Sequence, residues 1–233
     1  MTGERKSDDW RWGKGKTTTC GYCHESLDQC QCDGAEDSDL DRIRCEQTEA
    51  GESLRRGGWI QTFTGVHFYP LDPRPCEILI EDIAHALSMQ CRYSGHVNRF
   101  YSVAEHSIRV AELVPRELRL LALMHDAAEA YLVDLPRPLK RYSDMGAEYK
   151  KIEDHLMIAV CERFRLAWQD PMPDEIERAD KGMLWVESRD LMTPDTCWDK
   201  WRKLTTGLER PITTTMTPAS AEKTFLRVFE MLA

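Results

Sequence analysis

The chain lacks any apolar run of bilayer-spanning length, and Met1 leads into the polar TGERKSDDW rather than a signal-peptide core. Those two absences argue against a membrane span and a secretory leader, and they predict a soluble, cytoplasmic protein. It also has no long basic block and carries a net charge of −9. Nucleic acid and anionic membrane are therefore excluded as main partners, and a polyanionic substrate needs a locally positive pocket. There is no internal repeat and no low-complexity tract, so the fold is not a repeat array. Cysteine is not scarce, with nine residues, but four cluster between Cys20 and Cys32 and the rest are scattered. An odd count with one tight cluster fits metal plus free thiols better than a disulfide framework.

What is present suits one main domain with an appendage, since 233 residues can enclose a proper core. Residues 1–19 are polar without helical or strand period and predict disorder. Residues 20–32 form a cysteine-rich module, CGYCHESLDQCQC. Cys20, Cys23, Cys30 and Cys32, with His24 or Cys45 as substitutes, either hold one structural zinc or stay as unligated thiols. Residues 33–58 are acidic and weakly apolar and read as a linker.

The folded domain is expected over 59–233. WIQTFTGVHFYP predicts a small β-hairpin turning at Gly65. Helical spacing follows in IEDIAHALSMQC, then a loop, RYSGHVNRFY, dense in cations and aromatics. Ser102 is the expected N-cap of SVAEHSIRVAEL, with Glu105 as capping-box partner. Pro115 opens one continuous helix through LLALMHDAAEAYL, and Pro136 and Pro138 break the pattern. Further helices are expected from about Gly146 to Arg165, after Pro173 and from Pro218. The fold class is all-α, a helical bundle behind a small hairpin.

The chemistry concentrates between Arg99 and Asp134. A His-Asp pair, His125 and Asp126, sits in an otherwise apolar stretch of Leu121, Leu123, Met124 and Ala128, where burial is costly unless compensated. A divalent first-row metal is one compensation, because imidazole and carboxylate together suit it. On a helix, Glu129 shares a face with both. His106 on the preceding helix and Asp180 within IERADKGMLWV complete a set of two imidazoles and two carboxylates. A cation held there acidifies water and polarises a phosphoryl group, with Glu129 free to move a proton. Taken singly, His106 reads more readily as an ordinary helix residue than as a ligand, and Asp180 as a solvated or capping carboxylate.

The set H…HD…D, with SVAEHS, HDAAEAYLVDLPRPLK and the upstream CRY, resembles the HD-domain phosphohydrolases. Over about 59–232 it is similar to bacterial 5′-deoxynucleotidases and to phage enzymes that remove phosphates from dATP. The resemblance implies an HD-domain helical bundle and a divalent ion (Co, Mn, Mg, Zn or Fe) ligated by His106, His125, Asp126 and Asp180. Glu129 becomes the catalytic carboxylate. Arg92 matches the arginine of an Arg-aromatic phosphate pair, with Tyr93 in place of tryptophan, and Asp134 matches the residue that faces the sugar. Val133 stands where those enzymes have glycine. His96, Arg99 and Lys140 are further candidates for phosphate contact, Arg99 and Lys140 reading equally as surface cations. The expected activity is hydrolysis of a deoxynucleotide 5′-phosphate, mono- or triphosphate, with dATP or dAMP favoured by analogy and a homo-oligomer by the same route. The alternatives are a cyclic-nucleotide phosphodiesterase and a nucleotide-binding protein without turnover.

Overall fold

The computed structural model describes residues 55–167, 169, 171–205 and 209–233. The expected cysteine module at Cys20, Cys23, Cys30 and Cys32, the N-terminal 1–19 segment and all but the end of the 33–58 linker lie outside the described residues. In chain order come β1 (Ile60–Gln61), β2 (His67–Phe68), α1 (Ile80–Met89), α2 (Val103–Leu113), α3 (Arg119–Leu123) and α4 (Glu129–Leu132). Then follow α5 (Arg137–Tyr142), α6 (Asp144–Arg163), α7 (Asp174–Leu191), α8 (Asp199–Arg202) and α9 (Pro218–Leu232), with short 3-10 turns between some of them. The described residues are mostly helical. The strands pair antiparallel, Ile60 with Phe68 and Gln61 with His67. No helix among them is long and apolar enough to cross a membrane.

The helices begin where local chemistry satisfies their first N–H groups. The Ser102 side chain accepts from the Glu105 N–H, Ser143 from Gly146 and Thr217 from Ser220. The Glu105 carboxylate does not take the expected capping-box role. It accepts instead from Arg109 and from the Met216 N–H. The prolines of DLPRPLKR start a helix as well as end one: Pro136 is the N-cap of α5, where a missing N–H costs nothing.

α1 packs against α9, α2 and α4, while α2 also meets α3, α7 and α9. Ile83, Leu87, Val103, Val110, Leu123, Met124, Leu156, Val160, Ile176, Met183 and Phe225 close the core. Each such large side chain contributes about 1.5–3 kcal/mol by burial. Trp59, Ile60 and Phe63 are exposed. Trp59 stacks on His67 and Phe63 on His85.

One expectation is corrected. The segment from Pro115 to Leu132 is not a single helix: a 3-10 turn at Arg116–Leu118 leads into α3, and the chain leaves helical form from Met124 to Ala128 before α4. There the bonds run over three residues, Ala127 N–H to Met124 and Glu129 N–H to Asp126. His125 and Asp126 thus sit on tightened turns rather than on a regular helical face, and Glu129 follows in the first turn of α4.

Candidate metal centre

Three elements and one turn supply the centre. His106 comes from α2, Asp180 and Glu187 from α7, Glu129 from the first turn of α4, and His125 with Asp126 from the turn before it. The ligand atoms of His106, His125 and Asp126 all lie within 4.8 Å of one another. His125 Nε2 is 3.2 Å from Asp126 Oδ2, and His106 Nε2 is 3.1 Å from Asp180 Oδ1. Neither approach has hydrogen-bond geometry, so both buried Nε2 atoms are left without a hydrogen-bond partner. A buried, unpaired ring nitrogen is costly; His106, His125 and Asp126 could together hold a divalent cation, and Asp180 meets this group at the His106 ring.

The opposite edge of each ring is occupied. His125 Nδ1 lies 2.7 Å from the Ala122 carbonyl and His106 Nδ1 lies 2.6 Å from Glu187 Oε1. A carbonyl can only accept, so His125 Nδ1 carries a proton and the Nε2 edge is the one turned to the centre. Burial opposes charge on His125, yet the adjacent Asp126 carboxylate brings its pKa up to about 9. Burial likewise works against ionised Asp126, and His125 outweighs it, holding the carboxyl well below the usual range.

Arg92 is buried at the edge of the centre, Nη1 3.6 Å from Asp126 Oδ2 and Nε 3.3 Å from Glu187 Oε2. Tyr93 hydroxyl donates to the same Glu187 oxygen at 2.5 Å. Tyr93 and Ser94 both hold left-handed backbone, φ 57° and 52°, which costs about 1–2 kcal/mol each. Glu129 is buried; Lys140 Nζ lies 3.3 Å from Oε1, and Oε2 has no hydrogen-bond partner. Burial, then the Asp126 and Asp134 carboxylates, push the Glu129 pKa well up.

The remaining predicted residues divide. Asp134 lies beyond α4, its N–H held by Gln90 Oε1 at 3.3 Å while Gln90 Nε2 donates to the Glu129 carbonyl at 2.8 Å. Lys140 is engaged by Glu129 and by Glu153 at 2.8 Å. Arg99 is exposed and donates to the carbonyls of Thr213 and Asp190, and His96 is exposed on the neighbouring turn. Gln90, Glu187 and Trp198, which meets Tyr93 edge-on, escaped the sequence reading. For Glu187 a signal existed: it falls seven residues after Asp180, on the same helical face.

No family model matches the chain. The uncharacterized protein YfdR of Escherichia coli (strain K12) is 42% identical over 137 residues, 59% of this chain and 74% of that one. An uncharacterized Rhodobacter capsulatus protein is 40% identical over 140 residues, 56% of this chain and 69% of that one. An Erwinia tasmaniensis protein named 5′-deoxynucleotidase is 31% identical over 117 residues, 47% of this chain and 50% of that one.

Proposed function

We propose that this chain, which belongs to the family of the Escherichia coli protein YfdR, is an HD-type, divalent-metal-dependent phosphohydrolase of deoxynucleotide 5′-phosphates. The observation that carries the reading is the pair of buried, unpaired imidazole Nε2 atoms beside Asp126 and Asp180, with the Arg92 guanidinium at their edge. Relatives named 5′-deoxynucleotidase support the substrate class.

His106, His125, Asp126 and Asp180 would hold the ion. When bound, a divalent cation in such a set acidifies water and polarises a phosphoryl oxygen. Arg92 neutralises the phosphate, and the left-handed turn at Tyr93 keeps its guanidinium at the site. Glu129 takes the proton of the attacking water on Oε2, since Lys140 occupies Oε1, and delivers it to the departing 5′-oxygen. A cation held beside it would favour the ionised carboxylate, opposing the burial that raises its pKa. Asp134, its backbone fixed through Gln90, faces the sugar and disfavours a 2′-hydroxyl. dAMP or dATP, favoured by family analogy, would leave deoxyadenosine with phosphate or tripolyphosphate.

Metal-stripped protein resupplied with Mn²⁺, Co²⁺ or Mg²⁺ and given dAMP, dATP, AMP or a cyclic dinucleotide tests this by chromatography of products. The expected result is a deoxynucleoside from a deoxynucleotide only, lost on chelation and in the His125→Ala and Asp126→Ala variants. Asp134→Ala should gain turnover of AMP. Cleavage of the cyclic dinucleotide alone, or binding without turnover under every metal, would replace the reading with one of its two alternatives.

A further inference from the structure

Glu187 lies on α7 with no exposed surface at all, ion-paired to the Arg92 guanidinium. Its two oxygens divide between the metal side and the phosphate side of the site. Oε1 lies 2.6 Å from His106 Nδ1, and Oε2 accepts from Arg92 Nε at 3.3 Å and Tyr93 hydroxyl at 2.5 Å. A carboxylate paired with a guanidinium accepts rather than donates, so a proton sits on His106 Nδ1, and Nε2, which has no hydrogen-bond partner, is the edge left toward Asp180. The same helix thus carries Asp180 to one edge of the His106 ring and Glu187, two turns on, to the other.

We infer that Glu187 is a positioning residue that joins the two halves of the site, setting the His106 tautomer for metal through one oxygen and holding Arg92 and Tyr93 for phosphate through the other. This rests on the metal reading of the centre, not on the identity of the nucleotide. Both rigid groups are thereby referred to one buried atom pair, so they cannot drift independently. An amide in place of the carboxylate would break the arrangement, because it has one accepting oxygen for two sets of donors. Arg92 cannot give up its proton, so it retains that oxygen, and the amide N–H₂ turns toward His106. The imidazole must then move its proton to Nε2, the edge that faces the metal.

The test uses the full chain stripped of metal. Mn²⁺ titrated calorimetrically into Glu187→Gln should bind about 10–100-fold more weakly than into the unaltered chain, the loss usual when a ligand's outer partner is removed. NMR of isotope-labelled imidazoles in the metal-free protein, at a pH high enough to leave His106 neutral, should show its proton on Nδ1 before the substitution and on Nε2 after it. A purely structural Glu187 would lower the melting temperature while leaving both readouts unchanged, and that result overturns the proposal. If Glu187→Gln does not fold, Glu187→Asp carries the test: it keeps the charge but is one methylene too short to serve both sides. Weakened Mn²⁺ binding supports the role, and undiminished binding refutes it. An unaltered chain that binds no divalent metal would sink the metal centre and this role together. Equal binding by chain and variant sinks only the role.

Discussion

Glu129 is a residue held in a state its fold does not favour. Burial and the two neighbouring carboxylates raise its pKa, with one oxygen bonded to Lys140 and the other without a hydrogen-bond partner. A carboxyl whose pKa rises on folding is neutral in both states below its unfolded value of about 4.3, and above it ionises more readily unfolded. Stability therefore falls as pH climbs past that value, and a neutral amide escapes the loss. Glu129→Gln should raise the urea midpoint of metal-free protein at pH 7, leave it unchanged near pH 4, and lower kcat by about 10²–10⁴-fold. An unchanged kcat would remove Glu129 from the chemistry. Val133 shows the same tension in the backbone. With φ 66° and ψ 156° it occupies a region that is close to glycine-only and costs about 1–3 kcal/mol. Glycine would remove the strain but add unfolded-chain entropy of about 0.5–1 kcal/mol. The net expectation for Val133→Gly is a gain of about 1 kcal/mol, read by urea denaturation. Glycine at this position in similar nucleotidases already hinted at the conformation; the strain itself needed coordinates.

At the scale of elements, the site depends on where helices stop. The turn from Met124 to Ala128 aims His125 and Asp126 together, and its residues, all good helix formers apart from the His-Asp pair, carry no glycine or proline to announce it. The break is local but has no compositional signature: His125 Nδ1 bonds the Ala122 carbonyl three residues back, in competition with the helical ladder. The α5–α6 corner has a different cause. A Cβ on Gly146 would lie 2.2 Å from the Lys140 carbonyl oxygen and 2.4 Å from that of Leu139. Only glycine lets the end of α5 rest on the start of α6, and that rest carries Lys140 to Glu129. Gly146→Ala should cost about 1–3 kcal/mol. It should also raise the KM or lower the kcat of the hydrolase by displacing Lys140; a variant with full stability and full activity would show that the corner yields freely.

Across the whole molecule, the centre gathers charged groups from α2, α7 and the α3–α4 region, so an ion bound there ties distant stretches of chain together. At a hundredfold its Kd such a ligand adds about 2.7 kcal/mol, which for a domain of this size is roughly 5–10 °C in melting temperature. Chelation should lower the midpoint by that amount and resupply should restore it. A second tie lies before β1. Arg55 reaches Asp72 Oδ2 at 2.6 Å and Glu77 Oε2 at 3.0 Å and covers the Tyr69 ring. Glu77 is buried, so Arg55→Ala would strand a carboxylate and should cost about 3 kcal/mol by urea denaturation. No loss would mean that water reaches Glu77 in its place.

The helical class and the starts of α2 and α9 were legible in the sequence because each depends on chemistry within a turn or two of the residue concerned; His106, His125 and Asp126 stood out by residue type, and the fold brings their ligand atoms together. A serine or threonine three positions before a free N–H, a proline at a helix start and an apolar stripe at helical spacing carry their own physical reasons. The pairing of His106 with Glu187 spans 81 positions. No local rule joins such residues, because which carboxylate meets which ring is decided by how α2 and α7 pack. Packing also committed Arg99 to backbone carbonyls and Lys140 to two carboxylates. In the sequence both were only cations, and their partners became determined when the helices came together.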